Sequence, residues 1–210
     1  MKYWNEVVIV IAIELLALGG RVNAFSTSTP MSSTLNIQTV RYHDELEHNM
    51  QKCYEVRKAV FVEEQQVPID IEIDADDKIA THILATLTVG DGDGDEDSST
   101  AVHIVGAARI VYAKDNSVIR VGKIGRVCVM KEQRGNGYGR EIVLFAVEEI
   151  RKVFGSTGTT DGGGVGGIAT LGAQVHTIKF YESMGFEIIP NTSEYIEAGI
   201  PHRDMQQVII

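Results

Sequence analysis

The chain has 210 residues, a one-domain length with a tail to spare, and its composition (44% hydrophobic, 23% charged) is that of an ordinary globular domain. A formal net charge of -10 argues against a nucleic-acid binder, which would carry a basic face. It suits a cationic partner such as an amine, although solubility alone accounts for it equally well. Two cysteines, Cys53 and Cys128, make no disulfide framework, and the six histidines lack H-E-x-x-H or C-x-x-C spacing, so no metal is expected.

Residues 1–34 read as a segment separate from the domain. Val7–Ile13 and Leu15–Leu18 make an apolar stretch of signal-peptide length, with Lys2 ahead of it and Val22-Asn-Ala24 as a cleavage sequence before Phe25. Ser26–Thr34 is hydroxyl-rich and lacks acids, like a transit segment. Glu6 and Glu14 count against an efficient leader, and the stretch is short for a membrane span. The expectation is removable targeting and no stable span after processing. The Ala24-Phe25 junction resembles plastid presequences of algae with complex plastids; a cytoplasmic form starting at Met31 is the alternative.

Leu35–Arg41 reads as a first strand. Asp44 caps a helix reaching about Glu64, whose stripe Met50, Cys53, Val56 and Val60 has helical spacing. Residues 65–78 read as irregular; seven carboxylates fall between Glu63 and Asp77. Ile79–Val89, Ala101–Ala113 and Val118–Met130 read as strands, the first two separated by a Gly/Asp/Ser-rich loop at 90–99. The acidic run Asp91–Asp97 in that loop lacks the twelfth-position glutamate of a calcium loop. The short connection Lys114–Ser117 predicts antiparallel pairing of the last two strands.

Gly137–Phe154 is a helix with an apolar stripe of Ile142, Val143, Ala146, Ile150 and Val153. A Gly/Thr-rich loop at 155–167 follows. Then come a strand at Ile168–Ala173, a short helix at Thr177–Met184 ended by Gly185, and strands at Phe186–Ile189 and Met205–Ile210. This order predicts an α/β domain over 35–210 with a mixed sheet.

The segment with most chemistry is Arg126-Val-Cys-Val-Met-Lys-Glu-Gln-Arg-Gly-Asn-Gly-Tyr-Gly-Arg140. An apolar strand ends in a glycine-rich turn that opens a helix. Bare amides at a helix start, backed by the helix dipole, bind anions, and glycine lets a phosphate reach the main chain. Arg134 and Arg140 add charge. A P-loop would need Lys-Ser/Thr after the last glycine, where Arg140 and Glu141 stand; a dinucleotide fingerprint would need G-x-G-x-x-G. What remains is Arg134-x-x-Gly137-x-Gly139.

That pattern resembles the pyrophosphate turn of the GNAT superfamily of acyl-CoA-dependent N-acetyltransferases. Leu171-Gly-Ala-Gln-Val-His176 with Ile178-Lys-Phe-Tyr-Glu-Ser-Met-Gly-Phe186 resembles the second half of the GNAT core. Val56–Gln65, Asp74-Ala-Asp-Asp77, Ala80-Thr-His-Ile83 and Glu197-Ala-Gly-Ile-Pro-His202 are similar to a GNAT subgroup of largely unassigned substrate. The resemblance spans about residues 36–210. It implies a mixed, mostly antiparallel twisted sheet flanked by helices on both faces, with acetyl-CoA as co-substrate.

It also implies roles. Val127, Cys128 and Val129 would offer main chain to the pantetheine arm. Gln133, Arg134, Gly135, Asn136, Gly137, Tyr138, Gly139 and Arg140 would hold the pyrophosphate. A backbone N–H near Cys128 or Val129 would polarise the thioester carbonyl. Cys128 itself has no base nearby in sequence and reads as an inert small hydrophobe. Tyr181 matches the position of a tyrosine near the CoA sulfur and would act as general acid. Glu64 is a candidate base from the acidic segment, beside Glu63, Asp77 and His82; each of these taken alone reads more readily as a solvated, capping or core residue. His176 and His202 carry no assignment.

The expected function is N-acetyl transfer to a small or protein amine by direct attack. Use of another acyl-CoA, or CoA sensing without turnover, are the alternatives.

Overall fold

The computed structural model describes residues 9–12, 32–42, 47–90, 101–113, 120–155 and 167–209. The predicted Asp44 cap, the connection Lys114–Ser117 and most of the two low-complexity loops fall outside these, as does most of segment 1–34.

Among the described residues nine strands form one sheet: β1 (Ile9–Ala12), β2 (Ser32–Arg41), β3 (Thr81–Gly90), β4 (Ala101–Tyr112), β5 (Arg120–Val129), β6 (Gly167–Gln174), β7 (Glu187–Ile188), β8 (Tyr195–Glu197) and β9 (Ile200–Ile209). The order is β1-β2-β3-β4-β5-β6-β9-β7, with β8 also on β9. β5 and β6 run parallel, and the other described neighbours are antiparallel. β2 begins earlier than the predicted Leu35 because its partner β3 is long enough to pair Ser32 with Gly90. β1 extends the sheet at its edge, so the described part of the predicted leader is paired with β2.

Alternation in the strands divides the core between two faces. Leu84, Ala107 and Cys128 face α1 (Glu47–Arg57) and the turn that continues it, where Met50, Cys53, Val56 and then Val60 are buried as the helical spacing predicts. Ile83, Ala85, Ala108 and Ile110 face α3 (Tyr138–Gly155) and its buried Ile142, Val143, Ala146 and Ile150. Val153 departs from the predicted stripe and is 42% exposed. In the last turn the inward position passes to Phe154, which stands edge-on to Tyr112 at 6.0 Å.

The segment predicted as irregular is more ordered. α1 widens into a π-helical turn over Lys58–Glu64, closed by the Gln65 amide donating to the Val60 carbonyl at 3.1 Å. Such turns are frequent beside functional sites. After Pro68 come α2 (Ile69–Glu72) and a tight turn at Ala75–Lys78. Asp74 caps that turn by accepting from the Asp76 amide at 2.9 Å, and the Asp77 carboxylate accepts in turn from the Asp74 amide at 3.3 Å. α4 (Ile178–Glu182) ends before Gly185, which has φ +89°.

Two features position the site. β5 pairs with β6 only from Arg120 to Ile124, so beyond Ile124 and Leu171 the strands part. Among the described residues the main chain of Gly125–Val129 therefore has a strand partner only on the β4 side. Second, Arg126 and Val127 oppose the single residue Ala108, a β-bulge with Arg126 at φ +54°. Such a φ is strained for a non-glycine residue, and bulges re-aim the chain next to active sites.

Candidate active site

A cavity of about 610 Å³ occupies the opening between β5 and β6. Val127, Cys128 and Val129 line one side, Gly172 and Gln174 the other, and Tyr181 also faces it. A hydrogen bond from Gln174 Nε2 to Gln65 Oε1 at 2.9 Å spans from β6 to the end of the π turn.

Cys128 points its thiol into the α1 face, 3.8 Å from the Ala107 carbonyl. Burial pushes the thiol up to about 12, so it stays protonated and is no nucleophile. Its main chain, with that of Val127 and Val129, is what the opening presents. The Val129 carbonyl accepts from Arg134 Nε at 3.1 Å.

The glycine-rich turn adjoins this wall. Of its residues Arg134 lines the cavity; Gln133, Gly135, Asn136, Gly137, Tyr138, Gly139 and Arg140 carry the surface on from it to the α3 start. Gly135 and Gly137 adopt φ +83° and +82°, and a Cβ built on either meets nothing within 4 Å. The main chain there is open to an approaching group, and the first-turn amides of an 18-residue helix point toward it. Asn136 Nδ2 closes the turn on the Gln133 carbonyl at 3.2 Å. Arg140 is exposed beside Glu141 at 3.7 Å. This arrangement fits a pyrophosphate.

Tyr181 is 8% exposed, edge-on to Phe180 and Phe186. Burial, with the nearby Cys128 sulfur second, raises its phenol to about 12. Glu64, at the end of the π turn, makes a two-pronged ion pair with Arg134 at 2.6 and 2.7 Å. That hydrogen bonding holds its carboxyl below the usual range. Glu63 is exposed.

Asp77 and His82 are buried behind the cavity wall rather than on it. They belong to an ion-pair cluster in which Arg57, Arg109 and Arg126 meet Glu72, Asp74 and Asp77. Arg57 reaches Glu72 at 2.6 Å and Asp77 at 2.8 Å. Arg109 reaches Asp77 at 2.8 Å and Asp74 at 2.6 and 2.7 Å. Arg126 reaches Glu72 at 2.8 Å and Asp74 at 3.2 Å, and also donates to the Ile71 carbonyl at 2.8 Å. These contacts hold the bulge residue in its strained backbone. Burial raises the Asp74 and Asp77 carboxyls, but the arginines outweigh it and hold both below the ordinary value. His82 Nε2 lies 2.9 Å from the Asp77 carbonyl, and burial lowers its pKa, which favours neutral imidazole.

The carboxylates of 63–77 thus divide between a solvated rim and a buried cluster. The arginines of that cluster have one sequence signal: Arg57 and Arg109 interrupt apolar patterns, where an unpaired charge would be costly. Tyr195 and Glu197 on β8 and His202 on β9 also line the cavity, and β8 had no recognisable strand pattern.

Known proteins carry the same plan. Residues 95–188 match the family model described as an acetyltransferase (GNAT) domain. The chain is 33% identical over 161 residues to the uncharacterized N-acetyltransferase YjcF of Bacillus subtilis, covering 77% of this chain and 94% of that protein. The crystal structure of Escherichia coli ElaA superposes with a TM-score of 0.59 at 28% identity, over 82% of this chain and 99% of that one. An Arabidopsis thaliana protein in complex with the bisubstrate analogue CoA-Ac-MVNAL shares the fold, with a TM-score of 0.52 at 19% identity over 81% and 97% of the two chains. The chain belongs to the GNAT acetyltransferase family, whose members transfer acyl groups from acyl-CoA.

Proposed function

We propose that this protein transfers an acetyl group from acetyl-CoA to a primary amine, by direct attack within a ternary complex. The observation that carries the reading is the parting of β5 from β6, which bares the main chain of Gly125–Val129 inside a cavity that Tyr181 also lines. Acetyl-CoA, once bound, supplies the activated acetyl group. The β5 main chain pairs with the extended pantetheine arm as an added strand would, and the Gly135–Gly139 turn and Arg134 hold the pyrophosphate. A β5 amide polarises the carbonyl.

Tyr181 protonates the departing sulfur. In water a phenol is a poor proton donor to a thiolate of pKa ~8.5. Burial raises the Tyr181 phenol to about 12, and a thiolate formed against it away from water gains basicity by the same physical cause, so acid and acceptor shift in the same direction.

The test is thiol release from acetyl-CoA and from longer acyl-CoAs with a panel of polyamines, amino sugars, amino acids and lysine peptides. Acceptor-dependent release is expected. At one hundred times its Kd, acetyl-CoA should stabilise the fold by ~2.7 kcal/mol, a Tm rise of about 5–10 °C. Stabilisation without release with any acceptor would instead mark a CoA sensor. Absence of both overturns the cradle.

Glu64→Gln separates two roles for that residue. As the base, its loss would lower kcat. Paired with Arg134 and held as carboxylate, it is expected instead to compete with phosphate. The substitution should then lower the acetyl-CoA KM about 2- to 5-fold, in keeping with an exposed ion pair, at unchanged kcat.

A further inference from the structure

The amine must lose a proton as it attacks, and most acids near the cavity are committed elsewhere. Glu64 pairs with Arg134, and Glu72 and Asp74 pair with Arg57, Arg109 and Arg126. The β8–β9 hairpin supplies a different kind of group. Its tight turn carries Ala198 and Gly199 at φ +49° and +81°, and it sets Tyr195 directly opposite His202. Cross-strand partners project to one face. Here the two rings stack, with centroids 5.7 Å apart and planes 22° from parallel, and both line the cavity.

His202 Nδ1 lies 2.8 Å from the Ile200 carbonyl. A carbonyl only accepts, so Nδ1 carries the hydrogen, and in the neutral ring Nε2 carries the lone pair. The ring beneath is fixed as well. Tyr195 donates its hydroxyl to Asp204 Oδ1 at 3.0 Å and sits over Gly172 of β6, where a Cβ would come within 2.5 Å of the phenol oxygen. Gly172 thus leaves the space that Tyr195 fills.

We infer that His202 Nε2 is the general base that takes the proton from the attacking amine, with Tyr195, held by Asp204 and Gly172, positioning its ring. The inference rests on the acyl-transfer reading above. The nitrogen–carbon bond forms and the carbon–sulfur bond breaks. The nitrogen's proton passes to His202 Nε2, and the Tyr181 proton passes to sulfur. Imidazolium and phenolate then return to neutral through water, so no net proton is gained or lost by the protein. The charged and titratable groups on the elements around His202 are Tyr195 and Glu197 on β8, Arg203 and Asp204 on β9, and His176 after β6.

The experiment pairs ring ¹⁵N shifts of His202 with pH–rate profiles of the full chain, His202→Gln and His202→Asn. An asparagine amide can retain the donor to Ile200 without offering a base, so it guards against loss of the hairpin, checked by Tm. Expected are an Nδ1–H tautomer in the wild type and an acid limb in its kcat profile. Both variants should lose about 10²-fold or more in kcat and lose the limb, with acetyl-CoA KM changed less than about 2-fold. An Nε2–H tautomer overturns the inference. So does a folded His202→Asn enzyme that keeps the acid limb, whatever its rate. If the wild type acylates no amine, the acyl-transfer reading fails and the inference with it; if the wild type turns over and the limb survives substitution, only the inference fails.

Discussion

Tyr181→Phe is expected to lower kcat by about 10²-fold or more while the acetyl-CoA KM stays within about 2-fold, measured by thiol release under saturating amine. The ring is needed for packing, since it stands against Phe180 and Phe186 and belongs to the α3-side core; phenylalanine keeps that ring. Only the hydroxyl is lost, and with it the proton that the sulfur takes on leaving. The raised phenol pKa keeps Tyr181 protonated throughout the neutral range, so the wild-type acid step should show no pH dependence there. The loss should also shrink when the leaving thiol is made intrinsically more acidic, because such a thiolate departs without help. An unchanged kcat in Tyr181→Phe would remove the acid role.

Asp77→Ala is expected to be the most damaging single change to stability, by ~3–5 kcal/mol, because it strips a partner from two arginines, one of them fully buried. For a chain of this length that is a Tm decrease of about 6–20 °C. The pH dependence has a definite sign. The arginines depress the folded-state pKa of Asp77. Its contribution is therefore complete above the unfolded value of ~3.9 and is lost as pH falls through the lower folded value. Wild type and Asp77→Ala should converge in Tm only in acid, below about pH 4. Convergence near neutrality would mean the cluster does little for the fold.

Periodicity served well where one face of an element meets the core and the other does not. The stripe Met50, Cys53, Val56, Val60 and most of the α3 stripe are buried as spaced, and β3, β4 and β5 fall close to their predicted bounds. It served poorly where long-range pairing decides. The carboxylates Glu72 and Asp77 look like members of a solvated acidic run until three distant arginines converge on them. Likewise β8 is a three-residue strand with two exposed positions, carrying no period to detect. The glycine-rich turn was legible as a turn that opens a helix because a helix start and its glycines are local chemistry. The facing wall of the cavity was not, because the Tyr195–His202 stack depends on a hairpin register, and the room for Tyr195 depends on a glycine in another strand.

The parting of β5 and β6 also separates two kinds of specificity. One wall offers peptide groups, whose hydrogen bonds are largely indifferent to which side chains flank them. The facing wall offers side chains from a compact hairpin, Tyr195 to His202. On the proposed reading, substitutions in that hairpin that spare Tyr195 and His202 would change which acceptor fits while the carrier is gripped as before.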